Sequence, residues 1–199
     1  MRPLRLDDLL PLEEFAAQRR TLLDTHLRYL DRYRRVRVGP RVTLVFENRQ
    51  TLWFRVQDIL RIARLARPDL VQQELNLYNR LLPGPDHLQA SLLLEVADEG
   101  RLGEQLAPWR DFKGDQLRLR LGGVAVPAHL VTCRPEDLVA GTAHWVQFAL
   151  DDTARRRLGD FRKAAHFEMD LPAYQHAGEP LSDDLRQSLV DDLTLSDRD

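Results

Sequence analysis

Residues 117–126 read Leu-Arg-Leu-Arg-Leu-Gly-Gly-Val-Ala-Val, and this stretch decides the fold. Its leucines alternate with arginines, which is the period of a strand with one buried face. Gly122 and Gly123 can adopt the left-handed backbone of a tight two-residue turn, and the valines that follow begin a return strand. The stretch therefore predicts a β-hairpin, and Pro127 predicts that the return strand lies at a sheet edge.

Further strands are predicted outside the hairpin from apolar stretches bounded by turn residues. These stretches are residues 42–46, 88–96, 143–150 and 166–169. Helical spacing of apolar residues predicts a long helix over residues 12–35, one capped by Thr51 and a last one capped by Ser182. This irregular alternation predicts the α+β class, a single domain with a mainly antiparallel sheet flanked by several helices. We expect that domain to span residues 1–199, with residues 194–199 as a frayed tail.

The composition limits the functions open to this chain of 199 residues. Its formal net charge of −2 argues against general nucleic-acid binding, which a strongly basic surface favours. The single cysteine, Cys133, excludes an intramolecular disulfide and a cysteine-rich metal site. No apolar run approaches the roughly 20 residues that cross a bilayer, so we expect no membrane partner and a cytoplasmic location.

The pattern His166-Phe167-Glu168-Met169-Asp170 is a candidate for chemistry. On a strand its imidazole and two carboxylates share one face and form a ligand set for a divalent metal. The same alternation is typical of a half-buried strand with a solvated face. His144 lies among apolar residues of another strand, where burial favours the neutral form that suits a core histidine or a metal ligand. The sequence is compatible with a divalent metal but requires no cofactor.

Two surfaces are candidates for contact with a partner protein. Arg28, Arg32 and Arg35 have the spacing i, i+4, i+7 and predict a stripe on one face of the first helix. Such a stripe is either a solvated helix face or a contact for an acidic partner or a phosphate. The last helix is acidic and amphipathic, with Leu185 and Leu189 on one face.

Three segments resemble motifs of one bacterial family. They are Phe46-Glu47-Asn48-Arg49-Gln50-Thr51, Val56-Gln57-Asp58-Ile59-Leu60-Arg61 and Glu74-Leu75-x-x-Tyr78-Asn79-x-Leu81-x-Pro83. Together they are similar to the domain of unknown function 3501 family, and the resemblance extends over nearly the whole chain. That family has no established activity, and its members are often encoded beside rubrerythrin-like and iron–sulfur proteins. The resemblance therefore implies a role in a bacterial redox or metal-stress system.

The resemblance directs attention to polar residues that lie beside apolar surface. They are Glu47, Asn48, Asp58, Glu74, Tyr78, Asn79 and His144. A buried polar group without a hydrogen bond costs about 1–3 kcal/mol, so these side chains need partners. One hypothesis is a structural network that joins two helices to a strand end. The other is a pocket that uses Glu47, Asp58, Glu74 and His144 for acid–base or metal chemistry.

We therefore expect an accessory protein that binds a partner, and the resemblance implies rubrerythrin-like or iron–sulfur proteins as that partner. The alternative is a metal-binding protein or metal-assisted enzyme that uses His144 with Glu47, Glu74 or Asp170. Nucleic acid is not expected as a partner, and the sequence is compatible with a homo-oligomer.

Overall fold

The structure, a computed structural model, describes residues 1–131 and 142–195. After a 3₁₀ helix at Leu6–Asp8, the α-helices are α1 (Leu12–Tyr33), α2 (Arg49–Ala63), α3 (Pro68–Asn79), α4 (Leu102–Leu106), α5 (Asp152–Leu158) and α6 (Asp183–Leu195). The strands are β1 (Arg35–Val38), β2 (Val42–Phe46), β3 (His87–Leu94), β4 (Leu117–Leu121), β5 (Val124–Val131), β6 (Ala143–Ala149), β7 (Ala165–Leu171) and β8 (Tyr174–Ala177). Among the helices in these residues, none combines the length and apolar character that a bilayer crossing requires.

Two predicted features fall partly or wholly outside this range. Cys133 lies outside the described residues. So do residues 196–199, the second part of the predicted tail. Residues 194 and 195 belong to α6, so the predicted tail starts too early in the sequence.

The strands form one antiparallel sheet in the order β1-β2-β3-β6-β5-β4-β7-β8, and the sheet curls almost into a barrel. This arrangement confirms the α+β class and the mainly antiparallel sheet. The predicted hairpin consists of β4 and β5, with φ angles of 54° at Gly122 and 97° at Gly123. These angles lie in the left-handed region, which explains why the turn uses two glycines.

The prediction that Pro127 places its strand at a sheet edge is wrong. β5 lies inside the sheet, between β6 and β4. Its first half pairs with β4 as far as Pro127, opposite Arg118, and its second half pairs with β6 from Ala128 onward. Because the strand changes partner at the proline, the missing N–H interrupts neither ladder at its centre.

The inner face of the sheet surrounds the main hydrophobic core. Phe46, Phe148 and Phe167 meet there with ring centroids between 5.2 and 6.2 Å apart. Burial of one such side chain stabilises the fold by about 1.5–3 kcal/mol. Leu185 and Leu189 of α6 are buried in the same core, so this helix completes it.

A second core lies on the other side of the sheet, where α2 and α3 pack together with the N-terminal segment. Its buried members are Leu4, Leu52, Val56, Leu60, Val71, Leu75 and Leu81. The helical spacing of the leucines and valines in α2 and α3 accounts for this packing.

Tyr174 holds the two edge strands, β1 and β8, side by side. Its hydroxyl donates a hydrogen bond to Val38 O at 2.7 Å and accepts one from Arg41 N at 2.9 Å. Gly39, in the turn after β1, has a φ of 72°, and a Cβ there would lie 2.5 Å from Cγ of His176. The turn therefore requires glycine, since any side chain would push the two edges apart.

We predict that Tyr174→Phe lowers the free energy of unfolding by about 1–3 kcal/mol, because Val38 O and Arg41 N each lose a hydrogen-bond partner. Urea unfolding followed by circular dichroism measures this loss. The matched control is Tyr33→Phe, because Tyr33 contacts Tyr29 and Arg32 through its ring, which phenylalanine retains.

The control variant should change the free energy of unfolding by less than about 0.5 kcal/mol. Equal losses in the two variants would contradict the role of the Tyr174 hydroxyl in closing the sheet.

Candidate functional site

The junction between β2 and α2 consists of Glu47 and Asn48. Asn48 Oδ1 accepts a hydrogen bond from Thr51 N at 3.0 Å, and Thr51 Oγ1 accepts one from Asn48 N at 2.9 Å. This reciprocal capping box starts the helix at Arg49. The prediction that Thr51 caps α2 is therefore wrong, because Thr51 is the third helical residue of the motif in which Asn48 is the cap.

Glu47 is a buried carboxylate, with 1% of the residue exposed. Its Oε2 accepts a hydrogen bond from Thr51 Oγ1 at 2.5 Å. Its Oε1 accepts hydrogen bonds from Arg55 Nη2 at 2.6 Å and from Ser91 Oγ at 3.3 Å. Since Ser91 belongs to β3, the carboxylate joins α2 to the outer face of the sheet. These donors offset the cost of removing the carboxylate from water.

Glu47 and His144 lie on opposite faces of the sheet. Ser91, which contacts Glu47, and Leu92 are neighbours on β3, so their side chains point to opposite faces. His144 is the register partner of Leu92, and its ring centroid lies 6.1 Å from that of Phe112. The predicted pocket that joins Glu47 to His144 is therefore wrong.

The other predicted polar residues make contacts elsewhere. Asp58 Oδ1 on α2 accepts hydrogen bonds from Arg19 Nε at 2.7 Å and Arg61 Nε at 2.9 Å. Asn79 at the end of α3 binds both backbone groups of Leu4, at 2.8 and 2.9 Å. The remaining predicted residues, both on α3, are Glu74 and Tyr78. The contacts at the β2–α2 junction agree with a structural network. Asp58 and Asn79 lie outside that network: Asp58 joins α2 to α1, and Asn79 holds the N-terminal segment against α3.

The four predicted metal ligands do not form one site. Three of them share one face of β7, as the alternation predicts: His166, Glu168 and Asp170. The opposing strand places Arg118 Nη1 3.4 Å from Asp170 Oδ2 and Arg120 Nε 3.7 Å from Glu168 Oε1. His144 is on β6, which is not adjacent to β7. In residues 1–131 and 142–195, no group of three or more His, Cys, Asp or Glu side chains could hold a metal ion, so this ligand set is wrong.

The predicted partner surfaces are also wrong in part. Leu185 and Leu189 are buried in the main core and cannot contact a partner. Arg32 pairs with Asp184 of α6 at 2.8 Å. Arg35 lies on β1 rather than on α1, because the helix ends at Tyr33. Arg28 remains on the exposed face of α1, with a hydrogen bond of 3.3 Å to Thr25.

A buried ion pair connects the junction to α6. Arg34 and Asp192 form a bidentate pair, and each side chain is 3% exposed. The Tyr29 hydroxyl accepts hydrogen bonds from Arg34 Nε at 3.0 Å and from Asn48 Nδ2 at 2.8 Å. Burial raises the pKa of Asp192 above its ordinary value, although the Arg34 guanidinium opposes that rise. The network joins α1, the cap of α2 and α6.

This network borders a cleft of about 710 Å³ that we name the charged cleft. It is lined by Met1, Arg2, Asp8, Tyr29, Arg34, Asn48, Arg49, Gln50, Trp53, Ser188, Asp191 and Asp192. The N-terminus of α2 and one side of α6 form two of its walls. The lining contains three arginines, three aspartates and two aromatic rings.

The charges of the cleft are divided between its two sides. Near the N-terminus of α2, Arg2 and Arg49 share one carboxylate, Asp8, at 2.8 and 2.7 Å. Burial works against ionisation of Asp8, but the Arg5 N–H and these two guanidinium groups hold its pKa below the ordinary value. Two guanidinium groups thus share one carboxylate, which leaves an excess of positive charge. With the partial positive charge of the helix N-terminus added, this side of the cleft suits an anion.

Arg34, Arg49 and Asp192 are site residues that the sequence patterns above do not single out. For Asp192 a signal was present, because Leu185, Leu189 and Asp192 have the spacing i, i+4, i+7 and share the buried face of α6. An acidic residue at a core-facing position indicates a buried partner of opposite charge. The overall acidity of the last helix instead indicates a surface for partner contact.

Comparisons with known proteins identify relatives without assigned activity. The model of the family described as "Protein of unknown function (DUF3501)" matches residues 3–193. A solved structure from Burkholderia pseudomallei K96243, described as a novel protein of unknown function, has a TM-score of 0.87 and 26% sequence identity. The match covers 96% of this chain and 99% of that chain. No curated protein matches the chain.

We predict that Arg34→Met and Asp192→Leu each lower the free energy of unfolding by about 3–5 kcal/mol, because each leaves a buried charge without its partner. The double variant Arg34→Met/Asp192→Leu should lose less than either single variant, since it leaves no such charge. Urea unfolding of the four proteins measures the coupling.

The exposed pair Arg32 and Asp184 also joins α1 to α6 and provides the matched control. Arg32→Met and Asp184→Leu should each change the free energy of unfolding by no more than about 1 kcal/mol. A double variant at positions 34 and 192 that loses the sum of its single variants would show that the buried charges are not coupled.

Proposed function

Because this chain belongs to the DUF3501 family, whose description states no activity, we propose from its geometry that it is an accessory protein that binds a partner protein through the charged cleft. The observation that carries the proposal is that Arg2 and Arg49 line the cleft beside the N-terminus of α2 and share the single carboxylate of Asp8. This side keeps an excess of positive charge, so a carboxylate of the partner would pair with the guanidinium groups and lie close to the positive end of the helix.

The lining of the cleft is typical of a protein-binding surface. Arginine, tyrosine, tryptophan and methionine are the residue types enriched in protein interfaces, and arginine and the two aromatic residues dominate binding energy. The cleft combines Arg2 and Arg49 with Tyr29, Trp53 and Met1. Trp53 is already held in place, since its Nε1 donates a hydrogen bond to Asp8 O at 2.8 Å. A side chain fixed before binding loses little conformational entropy on contact with a partner.

The two sides of the cleft also indicate the charge of the segment that binds. Arg2 and Arg49 share one carboxylate, so an acidic side chain of the partner fits this side. Asp191 on the opposite side accepts a hydrogen bond from Gln187 and is exposed. A segment with an acidic residue toward Arg49 and a basic residue toward Asp191 would match both sides.

The biological context of the proposal comes from the family resemblance alone. That resemblance implies a partner from a bacterial redox or metal-stress system, with rubrerythrin-like and iron–sulfur proteins as the first candidates. The accessory role therefore consists of holding such a protein by an acidic segment.

A photo-cross-linking amino acid at position 50 tests both parts of the proposal in cells. Gln50 is exposed and lines the cleft. We expect one main cross-linked protein that carries a redox or metal centre, with the attached peptide rich in acidic residues. The matched position is Gln18, which is exposed on α1 and does not line the cleft. Equal cross-linking at the two positions would contradict binding in the cleft, and a partner without such a centre would contradict the context.

With that partner purified, Arg49→Gln should weaken binding about tenfold, which is the loss typical of a central arginine contact. Arg28→Gln is the control, since Arg28 lies on the exposed face of α1 outside the cleft, and we expect less than a twofold change. Isothermal titration calorimetry measures both values. Unchanged affinity of Arg49→Gln would refute the proposed carboxylate contact.

A further inference from the structure

A second cavity lies between α1, α2 and β2 and shares no lining residue with the charged cleft. Its volume is about 330 Å³. Five apolar side chains form most of its wall: Leu27, Leu30, Val45, Phe54 and Ile59. The polar residues of the wall are His26, Thr51, Arg55 and Asp58. We name it the apolar cavity, and its volume and mixed lining are those of a small-molecule site.

Arg55 is the polar group best placed to bind a ligand there. Its Nη2 donates to Glu47 Oε1 at 2.6 Å, and its guanidinium carbon lies 4.9 Å from the ring centroid of Trp145. These two contacts fix the guanidinium group in place. Its side chain is 34% exposed and lines the cavity, and the bond to Glu47 uses one of its five N–H donors. A fixed guanidinium group with further donors favours a ligand that supplies an acceptor.

The charges around the cavity favour an anionic acceptor. Asp58 is already bound by Arg19 and Arg61, at 2.7 and 2.9 Å. Burial, together with the charges of Arg55 and Arg35, lowers the pKa of His26 to about 4. The imidazole, which stacks on Phe54 at 4.2 Å, is therefore neutral near pH 7. The carboxylates are thus matched by arginines, and Arg55 retains an unused donor.

We propose that the apolar cavity binds a small monocarboxylic acid with an apolar chain. The carboxylate would accept a hydrogen bond from the Arg55 guanidinium group, and the chain would lie against Leu27, Leu30 and Ile59. If each water-sized group occupies about 30 Å³, the cavity holds about ten non-hydrogen atoms, which is the size of octanoate. This site is independent of the partner-binding role proposed for the charged cleft.

Isothermal titration with sodium octanoate, octanol and octylamine separates the contributions of charge and chain. We expect octanoate to bind at one site per chain, octanol to bind at least tenfold more weakly, and octylamine to show no binding. A site that binds octanoate and octanol equally would be a simple apolar cavity, which would overturn the role of Arg55. The absence of octanoate binding would overturn the whole proposal.

Two variants test the position of the ligand. Leu27→Trp fills the cavity from its rim, where Leu27 is 39% exposed and a larger side chain causes little strain, and it should abolish octanoate binding. Ile62→Trp is the matched control, because Ile62 is on α2, is 67% exposed and does not line the cavity. It should bind octanoate with the affinity of the wild-type protein. Binding that survives Leu27→Trp unchanged would place the ligand elsewhere and refute the proposal.

Arg55→Lys keeps a positive charge beside Glu47 but removes the planar guanidinium donors. We expect this variant to bind octanoate about tenfold more weakly and to lose most of the preference for octanoate over octanol. Its thermal unfolding, compared with that of the wild-type protein, shows whether the variant is folded. A folded Arg55→Lys variant with unchanged affinity and unchanged preference would contradict the assigned hydrogen bond.

Discussion

The rest of the structure depends on one constraint, which is that the Glu47 carboxylate is buried and must be surrounded by donors. Two of those donors come from α2, and the third comes from β3. Thr51 and Arg55 are four residues apart, so they project from one face of the helix. That face is thereby turned toward the sheet, and the N-terminus of α2 is turned toward the charged cleft. A single acidic residue thus orients the helix that borders both cavities.

Local patterns in the sequence were sufficient to predict most of the sheet. Alternation and paired glycines predict the β4–β5 hairpin because both features act over a few residues. The position of Pro127 could not be predicted in the same way, since it depends on which strand lies beside each half of β5. That choice is made by long-range packing, and the barrel-like curl of the sheet has no local signal.

The candidate site was predictable to a smaller extent. The family resemblance points to Glu47 and Asn48 as members of a polar network or pocket. Both residues contribute to the network at the β2–α2 junction. The pairing of these residues with His144 was wrong, because adjacent strand positions face opposite sides of the sheet. The ion pair between Arg34 and Asp192 joins residues 158 positions apart, and periodicity within one helix does not specify such a partner. The spacing within α6 indicates that Asp192 is buried but does not indicate what it binds.

The closure of the sheet by Tyr174 has a consequence for the behaviour of the protein at high concentration. Unpaired strand edges recruit strands from other molecules and initiate aggregation. Here the two edge strands are four residues each, and they block one another through the tyrosine hydroxyl and the close approach of Gly39 to His176. The edges of this antiparallel sheet therefore offer little backbone to a neighbouring molecule, and we expect the same closure to disfavour fibril formation.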